Sequence, residues 1–178
     1  LGGAMFPTHV KLSVPEEKNV DYLILNGAEC EPYLTVDHRI MIEQPQEVLF
    51  GMKALMKAID VEKGIIGIED NKEEAISSMK EVVKDEEGIE VKVFATKYPQ
   101  GGEKMLIKAA LDREVPVGGL PLDVGVVVNN VTTAVAVSNA IEKGMPLIER
   151  SLTITGSGIK EPCNLIYRVG TTVEQLIE

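Results

Sequence analysis

Three segments of this chain concentrate side chains suited to holding a polar ligand. Residues 26–31 carry Asn26, Glu29 and Glu31; residues 98–103 carry Gly101, Gly102 and Glu103; residues 129–133 carry Asn129, Asn130 and Thr133. Asparagine amides both donate and accept, so they can read the edge of a planar ligand. Glycines let a backbone approach a flat or phosphorylated group closely. A fourth segment opens the chain on Gly2 and Gly3, and Lys11 beyond it suits a phosphate. The chemistry these residue types support is positioning, with no nucleophile among them.

Each residue also has a plainer reading. Asn26 before Gly27, and the pair Asn129–Asn130, serve equally as turn residues. Glu29 and Glu31 read as solvated loop charges, and Gly2 and Gly3 as a flexible terminus. Other chemistries are excluded more firmly. The only histidines, His9 and His38, have no context for a Ser–His–Asp or Cys–His arrangement, and no P-loop is present. Asp37 and His38 lack the further ligands a metal needs. Two cysteines, Cys30 and Cys163, are too few for an iron–sulfur cluster or a disulfide framework. A reducing compartment fits that usage.

The elements that must position these residues follow from hydrophobic periodicity. Apolar runs at 22–25, 64–68 and 124–128, and the alternating stretch 89–94, read as strands. Between them, Val48, Leu49, Met52, Leu55, Met56 and Ile59 recur at helical spacing. So do Ala75, Ile76, Met79, Val82 and Val83, with Asn71 as an N-cap and Glu74 completing a partial capping box. Leu106, Ile107, Ala110 and Leu111 make a third helix, and Val131, Ala134, Val135, Val137 and Ile141 a fourth. Alternating strands and helices predict an α/β fold: a Rossmann-like, mostly parallel sheet with helices on both faces. Ligands bind such sheets beyond the carboxyl ends of the strands, where the three segments fall. After residue 148 the texture changes to two strands and a short helix headed by Thr171, predicting a second, small module. The division is 1–148 and 149–178.

Bulk composition narrows the partners. The 178 residues are 44% hydrophobic, enough for one full core and an appendage. Eighteen basic against 28 acidic residues give a net charge of −10, which offers no footprint for nucleic acid. No apolar run approaches the roughly 20 residues of a membrane-spanning helix, so direct membrane insertion is not expected. The chain opens at Leu1 without an initiator methionine, which reads as a fragment of a longer protein.

Together, four motifs in order resemble the C subunit of the Rnf electron-transport complex and, more distantly, the flavin-carrying subunit of respiratory complex I. They are GGAMFPTHVKL at 2–12, LNGAECEPYLTVDHRIM at 25–41, YPQGGEKMLI at 98–107 and VVNNVTT at 127–133. The resemblance implies non-covalent FMN with NADH stacked against it. By motif, Gly2, Gly3 and Lys11 would lie along the flavin and its phosphate. Asn26, Glu29, Asn129, Asn130 and Thr133 would bond its ring, ribityl or phosphate groups, and Glu31, Gly101 and Glu103 would shape the nicotinamide side. Gly102 stands where the complex I relatives carry a glutamate. Residues 149–178 resemble the opening of a soluble-ligand-binding β-grasp (SLBB) module.

The function so implied is NADH dehydrogenase chemistry within an oxidoreductase complex. Hydride passes from NADH to FMN, or back to NAD in reverse, and electrons continue to 4Fe–4S clusters found only in the intact protein. No protein group acts as a catalytic base, and no metal site is expected in this chain. The isolated fragment is expected to be inactive. Partners are the other subunits of a bacterial complex, with the protein peripheral on the cytoplasmic side of the inner membrane. The alternative is a non-catalytic docking or ligand-binding scaffold in the same complex.

Overall fold

A computed structural model describes residues 6–177. Gly2 and Gly3 lie outside the described residues. The sheet is built from β1 (Tyr22–Gly27), β2 (Gly64–Glu69), β3 (Ile89–Phe94) and β4 (Val126–Asn130). All four are parallel, in the order β3-β2-β1-β4. The helices are α1 (Thr8–Leu12), α2 (Val36–Glu43), α3 (Pro45–Ala58), α4 (Glu73–Val83), α5 (Glu103–Leu111) and α6 (Val131–Glu142).

Strand parity divides the core in two. Leu23, Leu25, Ile66, Ile68 and Val127 face one way and pack with Met41, Met52, Leu55, Met79 and Ala134 from α2, α3, α4 and α6. Ile24, Ile65, Val126 and Val128 face the other way and pack on Leu106, Ile107 and Ala110 of α5. The expected covering of both faces is therefore present. Side chains such as Leu23, Ile24, Ile66 and Leu106 are fully buried. Each stabilises the fold by roughly 1.5–3 kcal/mol relative to exposure.

Close backbone approach decides one helix pairing. Gly51 lies in the middle of α3, and a Cβ there would sit 1.9 Å from the Ala134 carbonyl oxygen on α6. Only hydrogen at this position lets the two helices meet.

Beyond the sheet, β5 (Glu149–Ile154) and β6 (Cys163–Arg168) form an antiparallel hairpin, followed by α7 (Val173–Ile177). The hairpin rests on the start of α2. The Thr35 amide donates to Thr153 Oγ1 at 3.1 Å, and Asn164 Nδ2 donates to Thr35 Oγ1 at 3.0 Å.

Three local features differ from the sequence reading. The polar stretch around Asp37, His38 and Arg39 is helix α2, and residues 8–12 and 121–124 form short helical turns. Lys72, not Asn71, occupies the N-cap of α4, with no side-chain capping bond. Asn71 instead accepts from Lys72 Nζ at 3.0 Å, which draws its side chain away from the helix start.

Candidate functional site

The strand order reverses between β1 and β4: the chain runs outward from β1 to β2 and β3, then crosses back through α5 to set β4 on the other side of β1. Ligands of such sheets bind beyond the carboxyl ends of the strands where the strand order reverses. Asn26 and Asn130 are register partners at the carboxyl ends of these two strands. A cavity of about 430 Å³ opens beside them, lined by Asn26, Glu29, Glu31, Gly101 and Asn130 together with Cys30, Asp37, Tyr98, Thr132 and Arg150. Its volume falls within the ~300–1,000 Å³ of small-molecule sites.

Each wall has a local cause. Asn26 closes β1 and folds back: its Oδ1 accepts from the Ala28 amide at 3.1 Å, while its Nδ2 donates to the Gly101 carbonyl at 2.8 Å. One amide thus ties the loop after β1 to the loop before α5. Gly101 fits tightly, since a Cβ there would sit 3.0 Å from Cys30 Sγ. Asn130 ends β4 and caps α6, its Oδ1 accepting from the Thr132 amide at 2.8 Å.

The acidic wall is organised by the start of α2. Glu29 holds φ 48°, a left-handed conformation rare for glutamate. Its carboxylate accepts from the Asp37 amide at 2.7 Å and the His38 amide at 3.1 Å, capping a helix whose Thr35 N-cap makes no side-chain capping bond. Asp37 in turn accepts from Asn130 Nδ2 at 2.6 Å and Thr132 Oγ1 at 2.8 Å. Burial, reinforced by the Asp37 charge, pushes the Glu29 carboxyl up to about 7, despite opposing help from the two amides and Lys72. Burial also raises Asp37 against the bonds from Asn130 and Thr132. His38 is lowered by burial and then by the Lys72 charge.

Behind the rim, Lys72 and Glu69 are 6% and 1% exposed and form an ion pair at 3.4 Å. Glu69 also accepts from the Lys97 amide at 3.2 Å, securing the loop that leads to Gly101.

The remaining residues singled out in the sequence are arranged differently. Lys11 donates to Glu103 at 2.9 Å and to the Val128 carbonyl at 2.7 Å, so its charge is already matched. Neither residue lines the cavity. Thr133 is buried in the first turn of α6, and its neighbour Thr132 reaches the cavity. Asn129, which precedes Asn130 on β4, is buried and does not line the cavity, and its Nδ2 has no hydrogen-bond partner among the described residues. Sequence reasoning missed Asp37 and Thr132 as parts of the site. The signal for both was available in the motifs containing them, 25–41 and 127–133. Arg150 had no such signal, because it belongs to the hairpin. Among the described residues no group of three or more His, Cys, Asp or Glu side chains is placed to hold a metal ion.

A parallel sheet opening at its switch point onto a cavity edged by asparagine, glycine and carboxylate defines a Rossmann-like ligand-binding domain. The Nuo51 FMN-binding domain family matches residues 1–139, and the chain belongs to it.

Its relatives agree. The whole chain is 55% identical to part of the C subunit of a proton-translocating ferredoxin:NAD+ oxidoreductase complex from Clostridium ljungdahlii. It is 51% identical to part of the C subunit of the Na+-translocating counterpart from Acetobacterium woodii. The chain spans about two fifths of these relatives, 39% and 40% of their lengths. An NAD+-reducing nickel–iron hydrogenase, in its H2-reduced state, superposes over 97% of this chain and 35% of its own, with TM-score 0.80 and 21% identity. That likeness establishes the shared fold.

Proposed function

We propose that this chain is the core of an electron-transfer subunit that binds FMN non-covalently and exchanges reducing equivalents with NADH. The observation carrying this reading is the cavity at the β1–β4 switch point, edged by Asn26, Gly101 and Asn130. Two buried amides adjoin this cavity without lining it, Asn129 beside Asn130 and Gln100 beside Gly101. Asn129 Nδ2 and Gln100 Nε2, on residues 5% and 2% exposed, lack hydrogen-bond partners among the described residues. A buried donor without a partner costs about 1–3 kcal/mol, which a ligand rich in acceptors would relieve only if it reached past the lining. Asn26, Glu29 and Asn130 would hold the flavin from the lining, and Asn129 is assigned to it by motif. Glu31 and Gly101 would face the nicotinamide. Lys11 and Glu103 would support the rim as an ion pair, with Gly2, Gly3 and Thr133 contributing by motif alone.

When bound, FMN supplies hydride acceptance and one-electron release. The chain's own contribution is orientation. Glu29 and Asp37 fix the start of α2, the Asn26–Gly101 bond fixes two loops against each other, and Glu29 can hold a proton near neutrality.

In the intact subunit, 4Fe–4S clusters would receive the electrons, and the other subunits of an ion-translocating complex would be its partners. The relatives' names fit this, since they pair ferredoxin with NAD+. No described helix is long and apolar enough to cross a membrane. We place the subunit at the cytoplasmic face of the inner membrane through those partners. Residues 149–178 would begin the β-grasp module that follows the domain at 1–148. The docking alternative draws on that part, where Ile166, Val169 and Val173 are exposed.

Reconstituting the full-length subunit with FMN provides the test. Flavin absorbance should appear in stoichiometric amount and bleach when NADH is added. Flavin uptake without bleaching would remove the NADH assignment, and no uptake would remove both.

A further inference from the structure

We propose that Arg150, from the hairpin, is the anchor in this cavity for a phosphate group of the bound ligand. This rests on the reading of the cavity as a flavin and dinucleotide site, and it assigns a residue of the second module to that site.

Charge accounting motivates it. FMN and NADH both carry phosphate, yet Glu29, Glu31 and Asp37 all line the cavity. Lys11, the cation expected for this task, is bonded to Glu103 and the Val128 carbonyl and stands outside the lining. Lys72 is committed to Glu69. Arg150 is the one lysine or arginine among the lining residues.

Its guanidinium is also unspent. Arg150 Nε is buried without a hydrogen-bond partner, and Arg150 forms no ion pair among the described residues. Leaving a buried charged donor unsatisfied is costly, and a guanidinium's planar fork of donors matches phosphate oxygens. The side chain straddles two spaces. It lines the main cavity and also a smaller one of about 110 Å³, shared with Asn139 between α6 and the hairpin.

The backbone holding Arg150 is fixed to the site. The Thr35–Thr153 and Thr35–Asn164 bonds pin β5 and β6 to the residue that starts α2, next to the helix turn that Glu29 caps. Ser151, the next residue of β5, lines the cavity as well. The hairpin therefore closes one side of the site.

The test uses the full-length subunit and its Arg150→Gln and Arg150→Lys variants, with thermal melts to confirm folding. Each is titrated with inorganic pyrophosphate, with FMN and riboflavin, and with NADH and reduced nicotinamide riboside. Arg150→Gln should weaken pyrophosphate binding about tenfold or more, the scale of a lost charge-assisted hydrogen bond. It should weaken the phosphorylated member of one ligand pair by a similar factor and spare its dephosphorylated partner. The pair affected identifies whether the flavin or the dinucleotide supplies the phosphate. Arg150→Lys should recover part of the loss, and it serves as the readout if the glutamine variant melts early. No effect of either variant on any phosphate-bearing probe, or equal losses with and without phosphate, overturns the assignment. Arg150-dependent binding of pyrophosphate without binding of FMN or NADH would uphold the anchor and overturn the proposed function.

Discussion

Glu29 reaches across eight residues of chain to accept the Asp37 amide at 2.7 Å, and so joins the loop after β1 to the first turn of α2. The two carboxylates sit on the same acidic wall, and burial raises both. Stability should therefore depend on pH in a defined sense. Between 4.5 and about 7 the unfolded chain has released the Glu29 proton while the folded chain retains it. Stability is then highest below that window and falls as pH rises through it, levelling above about 7. Asp37 acts in the same direction. Solvent screening limits the Glu29 effect to on the order of 2 kcal/mol. Urea unfolding at pH 5 and pH 8 should show this loss, and Glu29→Gln should flatten it. A variant with the same slope as the parent would exclude Glu29 as the source.

Asn130 has two tasks, capping α6 and bonding Asp37. Asn130→Ala should cost about 1 kcal/mol through the cap alone and should also weaken flavin binding. Asn130→Asp separates the two roles. It keeps a capping acceptor but sets a second carboxylate against Asp37, so flavin affinity should fall further while the cap survives. Equal flavin affinity in the two variants would show that the Asp37 contact is irrelevant to the ligand.

How far these relationships could be read in advance depended on where the determining partner lay. The strands were legible because runs such as Gly64–Glu69 are buried at every position, which leaves a continuous apolar signature. Helix α2 was not. Its opening residues Asp37, His38 and Arg39 are polar, and its cap is supplied by Glu29 from outside the local pattern. The cavity's asparagines were legible as loop residues after strands, and Lys11 was legible as a cation, but its partner was not. A local sequence cannot reveal that Glu103, 92 residues away, already occupies that lysine.

Gly51→Ala sets two effects against each other. Alanine improves helix propensity by about 1 kcal/mol, but its Cβ would meet the Ala134 carbonyl at 1.9 Å. Backbone cannot move aside as a side-chain end can, so overpacking should win, with a net loss of roughly 1–3 kcal/mol. Denaturant midpoints decide it. An unchanged or raised midpoint would mean that α3 and α6 can separate at little cost.

The Lys72–Glu69 pair offers the sharpest contrast between breaking an interaction and replacing it. Lys72→Met leaves Glu69, which is 1% exposed, without its cation, and should cost about 3–5 kcal/mol. Pairing it with Glu69→Leu removes the stranded charge and should recover much of that loss, though the Lys97 amide then loses its acceptor. The single variant should also act at a distance. Lys72 normally favours the ionised form of Glu29, so its removal should move the Glu29 titration upward and extend the pH window over which stability falls. Carbon-13 NMR of the glutamate carboxyls would follow that midpoint directly. If it stays in place while stability drops, the pair supports the loop before Gly101 and leaves the acidic wall of the cavity electrostatically untouched.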